Sequence, residues 1–123
     1  MKVIFYSTTM NGCIDRLKPM LLSLVSEKHM AFTNDIEDFT RALVKYRPVR
    51  PIVVIHVNSD EDVAEVKELD NMLDDLFLII ITENDSKAVL MSCRRLYPRW
   101  LSHADDDLGI VTAVIEKRLA DHG

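Results

Sequence analysis

Hydrophobic positions along the chain fall into two kinds of run. Three short segments, Val3 to Tyr6, Ile52 to Val57 and Phe77 to Thr82, are apolar at nearly every position and rich in β-branched or aromatic residues. Runs of that length read as strands covered on both faces, as in the middle of a parallel sheet. Two weaker runs, His29 to Thr33 and Arg99 to Ser102, mix polar with apolar residues and read as edge strands. Between the strands the apolar positions take a helical period. Ile14, Leu17, Leu21, Leu24 and Val25 form one stripe, in which Pro19 predicts a kink or a late helix start. Ile36, Phe39, Leu43 and Tyr46 form a second, with Asn34 and Glu37 as its N-terminal capping pair. Val63, Val66, Leu69 and Leu73 form a third, with acids on its other faces. Val89, Leu90, Cys93 and Leu96 form a fourth that must end before Pro98. Leu108, Val111, Ile115 and Leu119 form a fifth, and Asp105, Asp106 and Asp107 before it suit a helix N-terminus.

Strand and helix thus alternate five times. Such alternation implies right-handed crossovers and a parallel sheet with helices on both faces. No tight hairpin signal points to an antiparallel pair. The first, third and fourth strands are the most apolar and belong in the middle, the second and fifth at the edges. The order 2-1-3-4-5 satisfies this, so the expected fold is a three-layer α/β/α sandwich of the flavodoxin-like kind. No repeat, low-complexity tract or linker interrupts the 123 residues, which read as one domain, residues 1–123.

Composition narrows the function classes. The net charge of −5 argues against nucleic acid binding, which needs a broad basic face. No apolar run approaches the ~20 residues of a membrane span. Cys13 and Cys93 stand far apart and belong to no metal-binding spacing, so they read as reduced thiols in a cytoplasmic protein. No metal or cofactor is expected.

In such a sheet, ligands collect beyond the carboxyl ends of the strands, at the switch point between the first and third. The segments to inspect there are 7–12, 56–59, 82–84 and 102–104. They supply the ligand-binding candidates Ser7, Thr8, Thr9, Asn11, His56, Asn58, Thr82 and His103. The layout resembles bacterial response-regulator receiver domains of the chemotaxis type, over essentially the whole chain. The resemblance implies an acidic pair after the first strand for Mg²⁺, a phosphoacceptor Asp ending the third, a Thr or Ser ending the fourth and a Lys ending the fifth. Here Ser7, Thr8 and Thr9 stand in place of the acids. His56, Val57 and Asn58 cover the acceptor position, and Ser102 or His103 replaces the Lys. Only Thr82 matches. Mg²⁺ takes hard oxygen ligands, and phosphoryl transfer to Asp needs the metal to offset developing charge. The family's reaction therefore has no route in this sequence. Asp15 and Asp60 read as helix-start residues.

The expectation is a non-enzymatic signalling or protein-interaction module with no catalytic residues. Its docking surface is the cluster Arg94, Arg95, Arg99 and Trp100, joined by Tyr97, of residue types enriched at interface hot spots. The partner is a protein or a second copy of the chain. The resemblance supports this, since receivers signal through that part of the fold. The alternative is an FMN or other phosphate-bearing ligand at the loop after the first strand, whose hydroxyls and backbone N–H groups look somewhat like a flavodoxin phosphate loop. Met10 stands where that loop carries a Gly. His56 and His103 form a candidate imidazole pair, against which stands the plainer reading of a half-buried strand histidine and a loop histidine. No nucleophile–base pair is apparent for a hydrolase or transferase. Cys13, at the first loop, is the one residue that would supply a nucleophile, given a helix N-terminus to lower its thiol pKa.

Overall fold

The computed structural model describes residues 1–8 and 12–122, the side chains of Gly12, Cys13 and His122 excepted. Among them are five strands: β1 (Val3–Ser7), β2 (Met30–Thr33), β3 (Ile52–Val57), β4 (Phe77–Thr82) and β5 (Trp100–His103). Six helices join them: α1 (Gly12–Leu24), α2 (Ile36–Tyr46), α3 (Asp60–Lys67), α4 (Asp70–Leu73), α5 (Lys87–Arg94) and α6 (Leu108–His122). Single 3-10 turns lead into β2 and β3. The sheet order is β2-β1-β3-β4-β5 with every pair parallel, as the apolarity of the runs implies. Among the described residues no helix is long and apolar enough to cross a membrane.

The pleat divides the interior into two cores. Val3, Phe5, Val54, Ile79 and Ile81 point to one face, under Ile14, Leu17 and Leu21 of α1 and Val111 and Ile115 of α6. Ile4, Tyr6, Val53, Ile55 and Ile80 point to the other, under Phe39 and Leu43 of α2, Val63 and Val66 of α3 and Val89 and Cys93 of α5. Burial of each such aliphatic side chain is worth about 1.5–3 kcal/mol. Tyr6 stacks on Phe39 with ring centroids 4.7 Å apart, and its hydroxyl is buried with no hydrogen-bond partner.

Several local expectations are corrected. α1 starts at Gly12 and runs through Pro19, whose exposed position lets water serve the carbonyl that a Pro leaves without a donor. The cap of α2 is Asp35 and not Asn34: Asp35 is extended (φ −137°, ψ 160°), and its carboxylate accepts the Asp38 N–H at 2.8 Å. An ionised cap this close to the helix N-terminus also meets the helix dipole. The third stripe is two helices, because the chain turns at Glu68 and Leu69 before α4. The three acids before α6 divide their work. Asp106 accepts the His103 N–H, Asp107 accepts the Gly109 N–H, and Asp105 is exposed. β1 runs one residue further than expected, to Ser7, and β5 ends at His103, which is a strand residue and not a loop one.

Three residues other than glycine lie in the left-handed region: Arg50 (φ 52°), Asp75 (φ 68°) and Tyr97 (φ 53°). Each sits two or three residues before β3, β4 or β5, where a helix ends and the chain turns back into the sheet.

Candidate functional site at the carboxyl end of the sheet

The central crossing of the sheet brings Ser7 and His56 level, as register partners at the ends of β1 and β3. Ser7 is fully buried and His56 is 1% exposed, so the histidine is not half-buried as expected. Burial leaves both ring nitrogens needing partners inside the protein. Nδ1 lies 2.7 Å from the Ser7 hydroxyl and Nε2 lies 2.9 Å from Oε1 of Glu83, which follows β4 and is itself partly exposed. The donor and acceptor roles follow from chemistry. A carboxylate only accepts, so Nε2 carries a proton toward Glu83. In the neutral ring Nδ1 then accepts, and the Ser7 hydroxyl donates to it. A hydroxyl, an imidazole and a carboxylate from three adjacent strand ends thus form one chain. This is the nucleophile–base–acid order that no local pattern in the sequence revealed, but its hydroxyl end is closed to solvent.

The neighbouring turns are also internally satisfied. Ser59 caps α3 by accepting the Asp62 N–H, and the Asp62 carboxylate accepts the Asn58 N–H at 2.9 Å. Thr8 donates weakly to the same carboxylate at 3.5 Å. Thr82 is 1% exposed, and its hydroxyl donates to the Asn84 carbonyl and accepts the Asn84 N–H. Asp60 is the first helical residue of α3 and Asp15 lies in the first turn of α1. Thr9, Met10 and Asn11 lie outside the described residues, as does the Cys13 side chain.

His56 and His103 do not come together. His56 aligns with Ile81 and Ser102, whereas His103 aligns with Thr82 and Val57. Alternation along each strand therefore puts the two imidazoles on opposite faces, two strands apart. His103 Nδ1 instead accepts the Asp105 N–H at 3.0 Å. Among the described residues no group of three or more His, Cys, Asp or Glu side chains could hold a metal ion. Glu83 is the member of the site that sequence reasoning passed over. It falls in an inspected segment, but a partner 27 residues away leaves no local signal.

The basic cluster is spread around the edge strand. Arg95, Tyr97 and Arg99 line a concavity of about 400 Å³ with Asp70, Asp74 and Asp75. Arg94 lines another, of about 500 Å³, with His103 and Asp106. Trp100 is 38% exposed and its indole N–H donates to the Ser102 hydroxyl at 2.8 Å. The Arg99 guanidinium lies over the Phe77 ring, and among the described residues none of the three arginines enters an ion pair.

No protein-family model matches the sequence. No curated protein matches it either. Among solved structures, the chain is similar to a protein of Burkholderia pseudomallei provisionally described as pilus assembly-related. The TM-score is 0.67 over 98% of this chain and 87% of that one, at 11% identity, a likeness of fold alone. Sheet order, strand direction and this likeness together give the chain a flavodoxin-like α/β fold.

Proposed function

We propose that the protein is a non-enzymatic protein-interaction module with a receiver-like fold that does not use aspartyl phosphorylation, docking a protein partner through Arg94, Arg95, Arg99 and Trp100. The observation that carries the reading is the Ser7–His56 hydrogen bond. It stands where the receiver resemblance places a metal-binding acid and the phosphoacceptor Asp. An imidazole with both nitrogens engaged and its face buried offers no nucleophile to a phosphodonor. The nearby Asp62 carboxylate is taken up by the Asn58 N–H. The docking surface draws support from three exposed arginines that enter no ion pair among the described residues, in a chain of net charge −5, next to Tyr97 at 87% exposure. The pilus-assembly description belongs to the neighbour. Brought to this chain, it suggests a part in an assembly process.

The test has two arms. Treatment with a small phosphodonor and Mg²⁺ leaves the intact mass unchanged, and a Mg²⁺-dependent gain of one phosphoryl group mapped to an Asp overturns the phosphorylation half. A partner captured by the wild-type protein is lost by an Arg99→Glu, Trp100→Ala variant, and equal capture by both overturns the docking half.

A further inference from the structure

The helices α3 and α5 both return from a strand's carboxyl end to the next strand's start, so they run side by side and parallel on one face of the sheet. Their outward crests carry opposite charge. With Val63 and Val66 buried, the helical period turns Glu61, Ala64, Glu65 and Glu68 outward on α3, with the exposed Lys67 at the edge toward α5. With Val89 and Cys93 buried, it turns Met91, Arg94 and Arg95 outward on α5, where Met91 is 45% exposed. A shallow concavity of about 300 Å³ lies between the helices, lined by Asp60, Val63, Ala64, Lys67, Ser92 and Arg95. That lining and the Ser92–Asp60 hydrogen bond, 3.2 Å, put Arg95 near the level of Ala64, between Glu61 and Glu68. Packed neighbours of this kind stand ~8–10 Å apart axis to axis. Among the described residues no ion pair crosses from one crest to the other.

We propose that this face binds a second copy of the chain, in a two-fold dimer whose axis runs along the helices. Rotation about such an axis lays α3 of each copy over α5 of the other and keeps every residue at its own level. Arg94 and Arg95 then meet Glu61 and Glu68, each about 5 Å away along the axis at ~1.5 Å rise per residue, within reach of an arginine side chain. The other in-plane axis, across the helices, lays α3 on α3 and sets acid against acid. The charge pattern therefore selects one dimer of the two, and the interface is self-complementary as closed symmetry requires. This inference rests on the reading of the protein as an interaction module and names its partner.

The experiment is sedimentation of the full chain at low and high salt with charge reversals. Glu61→Arg with Glu68→Arg reverses one crest, and Arg94→Glu with Arg95→Glu reverses the other. The wild type is expected to dimerise at about 0.05 M salt and to weaken at least tenfold at about 0.5 M, where the Debye length falls to roughly 4 Å. Each reversed variant sediments as a monomer, and an equimolar mixture of the two regains the dimer, because every crossing again pairs opposite charges. Thermal melts check that the variants fold. A wild type monomeric at both salts, a dimer insensitive to either reversal, or a mixture that stays monomeric overturns the proposal. Glu61 and Glu68 lie outside the Arg99–Trp100 surface. A wild type that is monomeric yet loses its captured partner on the Arg99→Glu, Trp100→Ala change refutes the dimer alone.

Discussion

Ser7→Ala is the most informative single change in this protein. It removes one hydroxyl and leaves Nδ1 of a histidine that is 1% exposed without a donor. An unsatisfied buried acceptor costs about 1–3 kcal/mol, more than the net worth of the bond itself. With a urea slope of about 1–3 kcal/mol/M, a 2 kcal/mol loss moves the unfolding midpoint by roughly 1 M. His56→Leu on its own removes the ring nitrogen that accepts from the Ser7 hydroxyl, while Glu83, with a 26% exposed side chain, can turn to water. The double variant removes donor and acceptor together. Its cost is therefore expected to fall short of the sum of the singles by about 1–2 kcal/mol. Equilibrium urea unfolding at neutral pH of the four proteins measures this. Additivity within about 0.3 kcal/mol would show that the two groups do not depend on each other. A nitrogen NMR spectrum provides a second check, since the neutral ring must carry its proton on Nε2.

Val54→Ala and Ile80→Ala, each fully buried in a central strand, are expected to cost about 2–4 kcal/mol apiece in chemical unfolding, and losses below about 1 kcal/mol at both contradict the core assignment. Tyr6→Phe removes a buried hydroxyl that has no partner and is expected to be neutral or stabilising by about 1 kcal/mol in the same assay. Stability is expected to fall with pH between about 9 and 12. Burial, and then Glu65, Asp62 and Asp35, push the Tyr6 phenol from 10.0 up to about 12, and burial with Asp60 pushes the Cys93 thiol from 9.0 up to about 11. Both groups hold their protons longer in the folded state. Their contribution is thus complete below the unfolded values and is lost as pH rises through the folded ones, and the loss should be smaller in Tyr6→Phe. Cys93 is expected to resist alkylation in the native protein at pH 8 and to react once unfolded, as peptide mapping would record.

The sheet was legible in the sequence because burial on both faces writes itself into consecutive residues. Ile52 to Val57 and Phe77 to Thr82 show it at nearly every position, and the polar Thr33 and Ser102 mark the edges. Helix ends were less legible. Asn34 and Asp35 are equally good caps by type, and only the backbone angles at Asp35 decide between them. The break after α3 leaves the apolar stripe of Val63, Val66, Leu69 and Leu73 unbroken, so periodicity alone could not reveal it. The site was half legible. The switch point rule led to Ser7 and His56 as separate candidates. Their union, and the part of Glu83, depends on strand register and on side chains 27 and 49 residues apart.

The left-handed turns at Arg50, Asp75 and Tyr97 set where this protein can be improved. An L-residue with a β-carbon held there costs roughly 1 kcal/mol or more, less for an aspartate. The chain has three glycines, and none among the described residues occupies such a turn. All three turns lie at the amino end of the sheet, away from Ser7, His56 and Glu83. Asn or Gly at Arg50 relieves backbone strain without touching the polar chain at the far end or the proposed interface. At Tyr97 the same change trades an aromatic ring on the proposed docking surface for stability. The thermal tolerance of this fold can thus be raised at one end of the sheet while whatever the other end does stays unchanged.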